Sequence, residues 1–297
     1  MKTITPLALA GAFAILVSGC ATLPAPVRTY LKAESDRVKQ KPTAAVVTTC
    51  MIRDELGEAI DDDFILREST ERLAAEFSAA LGTQLAEGGV TLTKTVVPAL
   101  CLATFKPEVT TYGMAENSDA KPASVTLPLR PDERFSADPA LAAAYTRLLV
   151  ALQDLRKGGG FQPANRRPLA MDEAQVALLA SEIGVKDLWV LQAAGGQVSG
   201  GKTVGAAVLT SVLTLGISGG SMIGMSTAVD GLGYTIALVD LEHREVVWMK
   251  VVLPQNIDPE FPQAIEDTRI SALVDQMFSP ANESVPKPPA PRHDARR

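Results

Sequence analysis

Histidine is nearly missing from this 297-residue chain, which has two, His243 and His293, beside 34 acidic and 28 basic residues. His243 stands in a short polar turn between two apolar runs and His293 in a polar tail, so neither is placed to activate a nucleophile. No G-x-S-x-G elbow occurs, which removes the α/β-hydrolase arrangement. Cysteine is equally scarce: three residues, no C-x-x-C pair and no Cys/His cluster, so no metal site of the usual ligand spacing can be built. Acidic residues crowd together once, at Asp54, Glu55, Glu58, Asp61, Asp62 and Asp63, but without the EF-hand spacing. That run reads as a solvated loop whose last aspartates cap the next helix. A formal net charge of −6 repels phosphates, so nucleic acid is not an expected partner. The expectation from these absences is a protein with no catalytic residues, no cofactor and no metal.

What is present is concentrated first at the N-terminus. Residues 1–19 carry one charge, Lys2, ahead of an apolar run (ITPLALAGAFAILV) shorter than the ~20 residues a membrane span needs. The run ends in Val17-Ser18-Gly19-Cys20, an apolar residue, two small ones and a cysteine. This resembles the bacterial lipobox, which implies cleavage before Cys20 and acylation of its thiol and amino group, with palmitate among the chains. Several acyl chains, at about 0.8 kcal/mol per buried methylene, make such an anchor effectively permanent. Ala21 in place of Asp directs the expectation to the outer membrane, with the body facing the periplasm.

Residues 20–43 are rich in proline and charge and read as a tether; residues 279–297 (SPANESVPKPPAPRHDARR) read as a disordered tail. With 46% hydrophobic residues, the stretch between them can build one sizeable core or two small ones. Residues 44–51 (AAVVTTCM) read as a strand. Residues 64–86 read as a helix with Leu66, Leu73, Phe77, Leu81 and Leu85 on one face, ended by Gly88-Gly89. Residues 90–102 then return as a strand. Residues 106–138 read as loop with an extended piece at 124–129, and residues 139–155 as a helix stopped by Gly158-Gly159-Gly160. Residues 171–183 form a short helix leading through Gly184 to a strand around Trp189. Residues 234–241 and 245–253 read as an antiparallel hairpin, and residues 258–278 as a closing helix that covers a sheet face.

With Cys20 acylated, Cys50 and Cys101 remain as an even pair in an oxidising compartment. The β-α-β start brings them to comparable ends of neighbouring elements, so a disulfide is expected, the alternative being two buried free thiols.

This order of elements resembles the curli-secretion (CsgG-like) periplasmic lipoproteins, whose core is similar to the amino-terminal domain of TolB. The pieces that carry the likeness are Ile183-Gly184-Val185-Lys186-Asp187 before a strand, and Leu238-Val239-Asp240-Leu241 through Trp248 in the hairpin. It covers residues 44–278. It implies a small mixed β-sheet of the α/β (α+β) class with helices packed on one side, a terminal hairpin and a closing helix. It further implies a structural or transport role in outer-membrane biogenesis or export, through binding other envelope proteins. Where that group turns its hairpin through a glycine, this chain has Glu242-His243-Arg244-Glu245.

Two features compete with that reading. GQVSGGKT, residues 196–203, fits the phosphate-loop spelling G-x-x-x-x-G-K-[ST], with Lys202 for phosphates and Asp240 as the metal-strand aspartate. A periplasm-facing lipoprotein has no supply of ATP, and Asp240 lies beside a hairpin turn, so a glycine-rich turn is the preferred reading. The second feature is the apolar, glycine-rich insertion at about residues 195–233. It is too apolar to stand in water and is expected either to be buried or to pack on a membrane or partner, including a homo-oligomer neighbour. A self-assembling secretion channel would need strands of alternating polarity there, and this stretch does not alternate.

Overall fold

The computed structural model describes residues 25–54, 63–130, 132–157, 165–198, 231–255 and 278. Among these residues five helices and nine strands follow in the order α1 (Ala25–Lys39), β1 (Thr43–Asp54), β2 (Phe64–Leu66), α2 (Arg67–Glu87), β3 (Leu92–Val96), β4 (Thr111–Ala115), β5 (Ala123–Thr126), α3 (Glu133–Ala137), α4 (Pro139–Lys157), β6 (Arg167–Pro168), α5 (Glu173–Ile183), β7 (Asp187–Val198), β8 (Gly231–Asp240) and β9 (Glu245–Gln255). The strands form one mixed sheet in the order β5-β4-β2-β1-β7-β8-β9-β6, with β3 also pairing β1. The expected mixed α/β architecture is therefore present.

Its centre is β1 beside β7, parallel from Thr43↔Asp187 to Asp54↔Val198. Strand β8 runs antiparallel to β7 from Asp187↔Asp240 to Gly196↔Gly231, and β9 completes the hairpin. Both faces of these strands are apolar, as a central strand covered on two sides must be. Ala45, Val47, Trp189, Leu191, Ile236 and Leu238 pack with Leu31 and Val38 of α1 and with Leu73, Phe77, Leu81 and Leu85 of α2. Ala44, Val46, Leu188, Val190, Ala237 and Val239 face the other way, onto Leu148, Leu149 and Leu152 of α4 and Leu179 and Ile183 of α5. Helices thus cover both faces of the sheet, which corrects the one-sided arrangement implied by the family resemblance. The physical reason is in the strands: consecutive apolar residues leave no solvent-compatible face.

Other expectations also change. The tether at 20–43 is wrong for residues 25–39, which form α1. Val27, Leu31 and Val38 share its inner face, and Pro26 sits in the first turn, where a missing N–H costs nothing. Residues 64–66 are a strand rather than the first turn of a helix, because Phe64, Ile65 and Leu66 are all buried and pair with β1 and β4. The aspartate run accordingly does not cap α2; its N-cap is Leu66, with no side-chain cap. Residues 55–62 of that run lie outside the described residues. Strand β3 stops at Val96, short of the expected 102, and β4 occupies part of the expected loop.

Helices α2 and α5 end at glycines, Gly88 and Gly184. Gly184 takes the left-handed conformation (φ 78°) that turns α5 into β7. At Gly88 a side chain would meet the Phe278 ring at 2.8 Å, and that ring packs against Trp189. Residues 258–277 of the expected closing helix lie outside the described residues, as do Gly158-Gly159-Gly160 and the tail 279–297. No helix among the described residues is long and apolar enough to cross a membrane.

Candidate functional site

Three carboxylates stand side by side at one end of the sheet. Asp187 begins β7, Asp240 ends β8 directly opposite it, and Glu245 begins β9 opposite Asp240. Asp187 and Asp240 are buried, at 1% and 3% exposure. Like charges on adjacent strands repel, and burial magnifies the cost, so this row requires cations.

The cations come from two other segments. Arg166, just before β6, makes a two-pronged pair with Glu34 of α1, Nε to Oε1 at 2.8 Å and Nη2 to Oε2 at 2.9 Å. Its Nη1 donates to Asp240 Oδ2 at 3.1 Å and to Glu245 Oε2 at 3.0 Å. Arg37 of α1 donates from Nε to Glu34 Oε2 at 2.7 Å and from Nη1 to Asp187 Oδ1 at 2.6 Å. Planar guanidinium groups can bridge several carboxylates at once, which an ammonium does poorly. Tyr30, two turns earlier on α1, donates its hydroxyl to the Val247 carbonyl of β9 at 2.6 Å.

The electrostatics follow from this geometry. Burial pushes the Glu34 carboxyl up, but Arg166 and Arg37 outweigh it and hold the group below the usual glutamate range. At Asp240, burial also pushes up, and the His243 N–H, the His243 ring and Arg37 bring the net shift below the usual range. The hydrogen bond to Glu34 leads the effects that hold Arg166 above its ordinary value. His243 Nδ1 lies 2.9 Å from Asp240 Oδ2, and its backbone N–H donates to Asp240 Oδ1 at 3.1 Å. Asp240 thus organises the glycine-free hairpin turn, in which Arg244 takes the left-handed conformation (φ 56°). The sheet end alone holds three carboxylates without a cation; with Glu34 and Arg37 of α1 and with Arg166 it forms a clamp.

Sequence reading did not single out Tyr30, Glu34, Arg37, Arg166 or Asp187 as a group. The available signal was helical: Val27, Leu31 and Val38 mark an inner face, and Glu34 falls on the same side. Arg166 carries no local signal, since its partners lie in three other segments.

The expected cysteine pair is joined: Cys50 on β1 bonds to Cys101. The Cys101 N–H donates to the Thr49 carbonyl at 2.8 Å, which seats the turn after β3 on β1. Cys50 lies opposite Ala194 of β7, toward the end remote from the clamp. Ile52, Ile65, Phe105 and Met114 surround the bond.

The phosphate-loop spelling does not assemble with its aspartate. Gly196-Gln197-Val198 are the last residues of β7, whereas Asp240 faces Asp187 at the first. Nine residues of strand, roughly 30 Å, separate those ends. Asp240 is also fully engaged by Arg166 and His243. Of the insertion expected at about 195–233, residues 195–198 and 231–233 are the ends of strands β7 and β8, and residues 199–230, with Lys202, lie outside the described residues, as do Cys20 and His293.

No family model matches the chain and no curated protein matches it. The resemblance to the curli-secretion group therefore rests on the short motifs quoted above. Among solved structures the chain is similar to the C-terminal domain of LpoB from Salmonella enterica, at 9% identity over 78% of this chain and 98% of that one, with a TM-score of 0.24. A score that low marks no common fold, so the role of this chain has to be read from its own residues.

Proposed function

We propose that this chain is a lipid-anchored cell-envelope protein, held by Cys20 in the outer membrane, facing the periplasm and acting without catalysis as a binding or assembly component of envelope biogenesis or export. The observation that carries the reading is Val17-Ser18-Gly19-Cys20 behind a short apolar run. The Cys50–Cys101 bond is in keeping with an oxidising compartment. The buried polar groups of the clamp are spent on holding α1 and the hairpin turn, which suits a rigid binding body. Its partners on this reading are the membrane, through the acyl chains, and other envelope proteins.

The test is metabolic labelling with palmitate followed by fractionation. Label is expected on the chain in the outer-membrane fraction, and Cys20→Ser is expected to remove both the label and the membrane association. Unlabelled protein that stays soluble in the cytoplasm contradicts the proposal. Crosslinking in intact envelopes, followed by purification of this chain, identifies the partner.

A further inference from the structure

We infer that the face of the body at the start of α1 lies against the bilayer surface, because the clamp removes the slack that the chain after Cys20 would otherwise supply. The inference rests on acylation at Cys20. Four residues, 21–24, separate that cysteine from Ala25, the first residue of α1. At full extension the span from Cys20 to Ala25 is no more than about 18 Å. A free chain from Cys20 to Thr43 would instead reach up to about 80 Å.

Helix α1 is fastened along its length. Tyr30 bonds Val247 near its start, Leu31 and Val38 are buried against the sheet, and Glu34 and Arg37 close the ion-pair cluster with Arg166 and Asp187. Releasing it exposes buried apolar surface and leaves Asp187 and Asp240 without their arginine partner on α1, so the docked state dominates. A four-residue linker ahead of a docked helix sets an upper bound on height above the membrane. The occupant of this face is therefore a lipid headgroup surface, at a distance suited to partners embedded in or lying on the same membrane rather than across the periplasm.

Trp189 and Trp248, the two tryptophans of the chain, report the distance without added labels. They lie edge to face, 6.2 Å apart, in the cluster that α1 covers, and Trp248 adjoins the Val247 that Tyr30 holds. Palmitate-labelled full-length protein is reconstituted into phosphatidylethanolamine–phosphatidylglycerol vesicles carrying dansyl headgroups, and energy transfer from tryptophan is measured. Strong transfer is expected. A Gly-Ser spacer of about 12 residues between Pro24 and Ala25 adds roughly 20 Å and is expected to cut the transfer severalfold while leaving every contact of the body intact. Weak transfer in the parent, or equal transfer with and without the spacer, overturns the apposition. Absence of palmitate from the chain overturns the lipoprotein reading itself, and the apposition with it.

Discussion

The β7–β8 pair has two ends that solve the same problem with different chemistry. At the Asp187 end, opposing carboxylates are held by Arg37 and Arg166 from outside the strands, and α1 is fastened in the process. Toward the Gly196 end, glycines face each other across the pair and the neighbouring β1 is stapled by Cys50–Cys101. One lock is electrostatic and the other covalent. The end that spells a nucleotide motif runs beside Arg53 and Asp54 of β1, opposite Gln197 and Val198, whereas the end that gathers charge from five segments spells nothing. A motif is local in sequence; a working cluster is local in space.

The comparison can be broken one end at a time. The disulfide joins residues 51 apart, and a loop of that size is worth about 4 kcal/mol of unfolding free energy in the chain-entropy account. Replacing Cys50 and Cys101 together with alanine is expected to lower the urea midpoint by a corresponding amount without changing the Arg166 ion pairs. At the other end, Arg166→Ala leaves Glu34, Asp240 and Glu245 without their shared cation. Breaking a buried pair costs about 3–5 kcal/mol, and because Arg166 is about a quarter exposed the expected loss is nearer 2–3 kcal/mol by urea unfolding.

Acid separates the two ends without mutation. Glu34 and Asp240 are held below their ordinary values in the folded state, so each contributes stability above its unfolded pKa. That contribution is lost as pH falls from about 5 downward through the folded values. Stability of the parent is expected to drop across that window, and the drop to be shallower in Arg166→Ala; a reductant should lower stability alike above and below it. An equal acid dependence in the two proteins contradicts the clamp. The smallest effect is expected at the motif: Lys202→Ala should leave both the urea midpoint and the negligible binding of ATP–Mg²⁺ unchanged, as measured by calorimetry.

The body was legible where periodicity and punctuation agreed. Leu73, Phe77, Leu81 and Leu85 marked α2, Gly184 marked the turn into β7, and two apolar runs flanking a tight polar turn marked the β8–β9 hairpin. The cysteine pair followed from parity and compartment. Strand β2 was hidden because three consecutive apolar residues suit a buried strand and a helix start equally well. Helix α1 was hidden for a different reason: two positions on its inner face, Glu34 and Ser35, are polar yet buried. Polarity suggested solvent, and the arginine that makes Glu34 tolerable there lies 132 residues away. Helices on both faces of the sheet were implied by the unbroken apolar runs of β1 and β7, but the family likeness pointed to one side.

Whether residues 25–39 are a docked helix or a tether decides how, on the lipoprotein proposal, the body would stand on a membrane. Hydrogen exchange of their backbone amides in the full-length protein tests this most directly. Amides of Leu31 to Val38 are expected to exchange as slowly as those of the central strands, and faster once Arg166 is replaced by alanine. Exchange of that segment at the rate of a free peptide would contradict the account.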